Sequence, residues 1–142
     1  MTQSPLVTVT VCARDGAHWV EECLDAIHAQ THRPLEIIAV NDGSQDSTGA
    51  LMDQWKQSNA DSDVSISILH QDALGLSAGR MNALEAAQGE WVAITDIDVR
   101  PEQDWIEHLL LANEPVGEET IVAITGRTIF QTHTDIVSRF RA

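Results

Sequence analysis

Positive charge is what this 142-residue chain has least of: eight Lys and Arg stand against 22 Asp and Glu, a formal net charge of −14. Such a chain repels a polyanion, which excludes a nucleic-acid-binding surface. Lys56 is the lone lysine, so chemistry that needs a catalytic lysine elsewhere is excluded too. Cysteine is scarce. Cys12 and Cys23 make no disulfide framework and read as small apolar side chains in a reducing compartment. The opening Met-Thr-Gln-Ser-Pro has no positive leader, so no signal peptide is expected. No stretch approaches the roughly 18 uninterrupted apolar residues of a membrane helix. The expectation is a cytoplasmic protein, at a membrane face only if the full-length protein carries spans downstream.

What is present is an ordinary globular composition, 43% hydrophobic and 21% charged, too apolar for disorder. The length suits one domain over residues 1–142 with a proper core. Strand-like and helix-like segments alternate. Leu6–Cys12 is short and β-branched, Leu35–Val40 is almost wholly apolar, Val64–His70 alternates with period two, and Trp91–Thr95 is again apolar; all four read as strands. Val20, Cys23, Leu24 and Ile27 mark a helix over about residues 17–30. Thr48, Leu51, Met52 and Trp55 mark a second behind the caps Asp46 and Ser47, and Leu76, Arg80, Ala83, Leu84 and Ala87 a third, stopped by Gly89. Pro101 at a first helical position, with Glu102 and Asp104 behind it, opens a fourth along Trp105, Ile106, Leu109 and Leu110. Thr120–Thr125 reads as a fifth strand, with Thr128–Gln131 after a bend at Gly126. This order predicts an α/β, doubly wound, mostly parallel sheet with helices on both faces.

Ligands of such sheets sit beyond the carboxyl ends of the strands, and three of those places carry acids. Asp42 lies in Asn-Asp-Gly-Ser, a sequence that also suits a plain turn and helix cap. Asp96 and Asp98 flank Ile97; in extended geometry both carboxylates face one side, where a cation would relieve their repulsion. Oxygen ligands of this kind suit Mg²⁺ or Mn²⁺. Asp98 equally stands where it would cap the helix opening near Pro101. Arg14 and Arg80 read as phosphate partners or surface ion pairs. The six histidines show no metal-ligand spacing.

Together these motifs resemble the amino-terminal half of family 2 glycosyltransferases of the GT-A fold. The resemblance rests on Ala13-Arg14-Asp15, Glu21–Ile27, Gln30-Thr31, Glu36–Ser44 with Asp46, Gly75-Leu76-Ser77-Ala78 with Arg80, and Gly89-Glu90-Trp91 ahead of Asp96-Ile97-Asp98. It implies inverting transfer from a nucleotide-activated sugar, commonly UDP-linked, to an acceptor the sequence does not name, with Mg²⁺ or Mn²⁺. By the same resemblance Cys12, Ala13 and Arg14 lie along the nucleotide base, and Asp42 accepts a hydrogen bond from the uracil edge. Asp96 approaches the ribose or sugar, Asp98 holds the metal, and Arg80 stands near the pyrophosphate. The chain departs from the family at Asp15-Gly16, where Asn-Glu is usual, and at Met81, where the Asn is displaced to Asn82. The family's general base belongs to a downstream acceptor-binding half, expected beyond residue 142, so no catalytic residue is assigned and the isolated chain is expected to be inactive or slow. The alternatives are a catalytically inactive nucleotide-binding module and a receiver-type signalling domain; the latter lacks its acidic pair and its lysine here.

Overall fold

A computed structural model describes residues 4–112 and 123–124. In chain order the elements are β1 (Val7–Ala13), a 3-10 turn (Ala17–Trp19), α1 (Val20–His28), β2 (Leu35–Asp42), α2 (Thr48–Ser58), β3 (Ser65–Gln71), α3 (Leu76–Ala86), β4 (Trp91–Asp96) and α4 (Trp105–Leu111). The expected fifth strand and Thr128–Gln131 fall almost wholly outside the described residues.

The four strands form one parallel sheet in the order β3-β2-β1-β4. The chain steps outward from β1 through β2 to β3, then α3 carries it back to the far side of β1. The order therefore reverses between β1 and β4, and a doubly wound sheet opens a crevice at such a reversal. Alternate residues of β1 serve opposite faces. Val7, Val9, Val11 and Ala13 join Leu24 and Ile27 of α1, Met52 and Trp55 of α2, and Ile106 of α4 in the larger core. Cys12 faces the other way, with Ile38, Val40 and Ala83 of α3. Full burial of side chains such as Leu24 or Ile37 stabilises the fold by about 1.5–3 kcal/mol each.

Several boundaries differ from those read in the sequence, those of β2 and α4 for non-local reasons. β2 runs on through Asn41 and Asp42, because Asn41 pairs with Ala13 and His70, and Asp42 with Gln71, in the ladder. Glu36 is buried within this apolar strand, accepting Thr8 Oγ1–H at 2.5 Å and the Gln88 amide at 2.9 Å. The third helix ends at Ala86 rather than at Gly89, with Ala87 already extended. α4 starts at Trp105, not Pro101, so Asp98 caps no helix. Residues 101–104 and the start of α4 are held instead by the segment just after α1: Gln30 Nε2 donates to the Glu102 carbonyl at 2.6 Å, the Thr31 amide donates to that of Gln103 at 2.8 Å, and Gln30 Oε1 takes the Ile106 amide at 3.2 Å. At α2 it is Asp46, rather than Ser47, that accepts the free amide of Thr48, at 2.9 Å.

Candidate functional site

The carboxyl ends of β1, β2 and β4 and the loops after them form one rim. Its floor is β1. Cys12 is 8% exposed, its thiol turned under α3. Gly79 makes that contact, for a Cβ there would stand 2.3 Å from Cys12 Sγ. Ala13 is buried on the opposite face, so both side chains belong to the core and only their backbone can meet a ligand. Arg14 follows, exposed.

Two loops close one side by exchanging hydrogen bonds. Asp15, at φ 52°, accepts the amides of Gln45 and Asp46 on Oδ1, at 2.7 and 3.3 Å. In return Ser44 Oγ, Thr48 Oγ1 and Asp46 Oδ2 accept the amides of Asp15, Gly16 and Ala17 at 3.0, 2.9 and 3.1 Å. The Thr48 hydroxyl first, then the amides of Thr48, Ala17 and Asp46 itself, hold the Asp46 carboxyl below its usual range against the opposing effect of desolvation. The departure at Asp15 is thus a structural one: a short carboxylate tolerates the left-handed backbone and feeds the neighbouring turn.

Asp42 is 2% exposed. Its Oδ1 accepts Gln71 Nε2 at 2.7 Å and the amides of Leu74 and Gly75 at 2.8 and 3.2 Å; its Oδ2 takes the Gly75 amide at 3.0 Å. The Gln71 amide first, then those backbone donors and the nearby Arg14 charge, hold the carboxyl below its ordinary range against the opposing effect of desolvation. Asn82 Nδ2 in turn donates to Gln71 Oε1 at 2.6 Å, which fixes the orientation of the Gln71 amide. The displaced asparagine therefore reaches the site through Gln71. Gly43, at φ 61°, lies so close to Ala73 that a Cβ there would stand 2.5 Å from the Ala73 amide nitrogen, a position closed to any side chain.

At the crevice itself Arg80 Nη2 meets Asp96 Oδ1 at 2.7 Å, both side chains partly exposed. α3 and β4 thus bring together two residues singled out in the sequence. The extended geometry expected for Asp96 and Asp98 does not hold. β4 stops at Asp96, and the Val99 amide donates back to the Asp96 carbonyl at 3.0 Å, closing a turn with Asp98 exposed upon it. The Cys23 thiol donates to the same carbonyl at 3.6 Å from below, and burial pushes that thiol up to about 12. Arg100 grips the turn from its outer side, with Nη1 on the carbonyls of Ile97 and Val99.

Among the described residues no three His, Cys, Asp or Glu side chains stand close enough to cage a metal ion. The rim offers one or two carboxylates, Asp98 and Asp96. That set fits Mg²⁺ or Mn²⁺, which keep waters and take phosphate oxygens for their remaining positions, and does not fit an all-protein cage.

A family model described as glycosyl transferase family 2 matches residues 8–137. This chain belongs to that family. EpsH of Bacillus subtilis (strain 168) is 32% identical to this chain over 146 residues, 94% of the chain and 40% of EpsH. A glucosyl-dolichyl phosphate glucuronosyltransferase of Haloferax volcanii is 31% identical over 127 residues, 87% of the chain and 38% of its own length. Among solved structures, the mannosyltransferase PcManGT of Pyrobaculum calidifontis, in complex with GDP-Man and Mn²⁺, matches with a TM-score of 0.72 at 32% identity over 82% of the chain and 35% of its own. TarS of S. aureus, residues 1–349 in complex with UDP-GlcNAc, matches with a TM-score of 0.63 at 20% identity over 74% of the chain and 30% of its own, a likeness of fold. The chain spans 40% or less of the length of these relatives.

Sequence reasoning missed the residues that hold the site together. Asp15, Gln71, Asn82, Glu22 and Arg100 act across 11 to 78 positions of sequence, and no local pattern marks such pairs. The available signals were Asp15 and Asn82, both departures from the family pattern.

Proposed function

We propose that this chain carries the donor-binding part of a metal-dependent, inverting glycosyltransferase whose donor is a nucleoside diphosphate sugar. The observation that carries the reading is the meeting of Arg80 and Asp96 at the β1/β4 reversal, with Asp98 exposed on the adjoining turn. The backbone at Cys12 and Ala13 and the side chain of Arg14 would border the base. Asp42, ionised and with Oδ1 filled, keeps acceptor capacity on Oδ2. An acceptor-only group needs an N–H donor on the base, such as the ring N–H of uracil or guanine. A UDP-sugar is the first expectation; the GDP-Man bound by the Pyrobaculum mannosyltransferase makes a GDP-sugar its competitor.

Transfer leaves negative charge on the departing diphosphate. Arg80 would exchange Asp96 for a phosphate oxygen, an inexpensive exchange because a partly exposed pair is worth only about 0–1 kcal/mol. Asp96, released, would turn to the ribose or sugar. Mg²⁺ or Mn²⁺ held at Asp98 would supply further neutralisation of the leaving group. The acceptor and the base that deprotonates it are assigned to the downstream half of the full-length enzyme.

Calorimetry of the chain with UDP, GDP, ADP and CDP, with and without Mn²⁺, tests the reading. Binding of UDP or GDP that Mn²⁺ strengthens, and that Asp98→Ala returns to the metal-free level, is expected. Equal binding of all four nucleotides, indifferent to Mn²⁺ and to Asp98, would overturn it.

A further inference from the structure

Asp98 sits on a turn with no hydrogen-bonding partner of its own among the described residues, yet the backbone on either side of it is tied down. Arg100 Nη1 donates to the carbonyls of Ile97 at 3.1 Å and Val99 at 3.0 Å, the two residues that flank Asp98. The other edge of the guanidinium goes to α1: Nε and Nη2 both donate to Glu22 Oε2, at 3.1 and 3.0 Å. Its Cζ lies over the Trp19 ring, 5.3 Å from the centroid. One planar group thus bridges the Asp98 turn, the first turn of α1 and the 3-10 segment before it.

From this geometry we infer that Arg100 is a positioning residue for Asp98, and that Glu22 is the counter-ion that keeps the Arg100 charge from competing with a cation bound there. The inference rests on the donor-site reading and names residues which that reading does not use. A carboxylate that binds a metal gains affinity when its backbone is fixed beforehand, since less freedom is lost on binding. A bare guanidinium two residues away would repel the same cation. The carboxylate of Glu22 cancels that repulsion without touching the ion. Lysine cannot replace this arrangement, because an ammonium is a point charge without the planar fork that reaches both carbonyls and Glu22.

The test is the Mn²⁺-dependent gain in affinity for UDP and GDP, measured by calorimetry on the 142-residue chain, with thermal melting beside it. Arg100→Lys keeps the charge and the aliphatic stem. It is expected to leave metal-free nucleotide affinity within about twofold and to cut the Mn²⁺-dependent gain about tenfold, the scale on which groups that orient metal ligands act. Glu22→Gln, at an exposed position, is expected to cut the gain in the same direction and more strongly at low salt, where charge repulsion is least screened. Should Arg100→Lys fail to fold, Glu22→Gln decides. A gain equal to wild type in both variants, or an equal fall in the metal-free arm, overturns the inference while leaving the donor reading intact. A wild-type chain that binds UDP or GDP with no Mn²⁺-dependent gain overturns both.

Discussion

Gln71 Nε2 donates to Asp42 Oδ1 at 2.7 Å, and this contact is the largest cause of the lowered Asp42 pKa. A carboxyl depressed by folding adds stability above its unfolded pKa of about 4 and loses it as pH falls through the lower folded value. Gln71→Leu is expected to lower the melting temperature at pH 7, and the gap from wild type to shrink as pH drops below about 4. Melting curves between pH 7 and pH 2 check this; a gap independent of pH would contradict it.

Gly79 and Cys12 form a second pair that can be tested. Gly79→Ala drives a Cβ into Cys12 Sγ and is expected to destabilise by about 1–3 kcal/mol, as overpacking does. Cys12→Ala removes the obstructing sulfur, so the double variant should recover part of that loss. Urea unfolding of the four proteins in a double-mutant cycle measures the coupling; strict additivity would show that the two residues do not meet.

Asp15 holds the loop after β2 through its side chain while its backbone stays left-handed. Asp15→Asn keeps both capacities and is expected to change stability by less than about 0.5 kcal/mol. Asp15→Ala loses the acceptor and strains the backbone, and should cost about 2–3 kcal/mol. Denaturant midpoints decide between them.

Arg80→Ala separates stability from binding. The Arg80–Asp96 pair is partly exposed, so its loss should alter stability by no more than about 1 kcal/mol. Affinity for UDP or GDP should fall about tenfold, the usual worth of a charge-assisted hydrogen bond of about 1.5 kcal/mol or more, and depend less on salt. Titrations at two ionic strengths, together with melting, check both halves.

The element order was legible because hydropathy is local. The apolar runs of β1, β2 and β4, and the stripe Val20, Cys23, Leu24 and Ile27 of α1, announced themselves through hydropathy; β1, β2 and the α1 stripe are buried almost throughout, whereas β4 is only partly buried. Where polar residues ended an element, the sequence misled: Asn41 and Asp42 looked like a turn but are ladder residues. Pro101 looked like a helix start, but Gln30 and Thr31 hold residues 101–104 out of the helix. The acids Asp42, Asp96 and Asp98 stood out through type and position at strand ends, whereas the state of each could not be read.

By itself, then, the sequence determined the alternation of strands and helices, the parallel doubly wound architecture and the acidic strand ends, all consequences of which residues avoid water and of the short connections between them. Only the tertiary structure decided that Asp42 is locked by Gln71, that Asp96 is paired with Arg80, and that Asp98 rides on a turn gripped by Arg100. Hydrogen bonds and ion pairs of this sort depend on distances between side chains far apart along the chain, and those distances come into being only when the sheet and its helices pack.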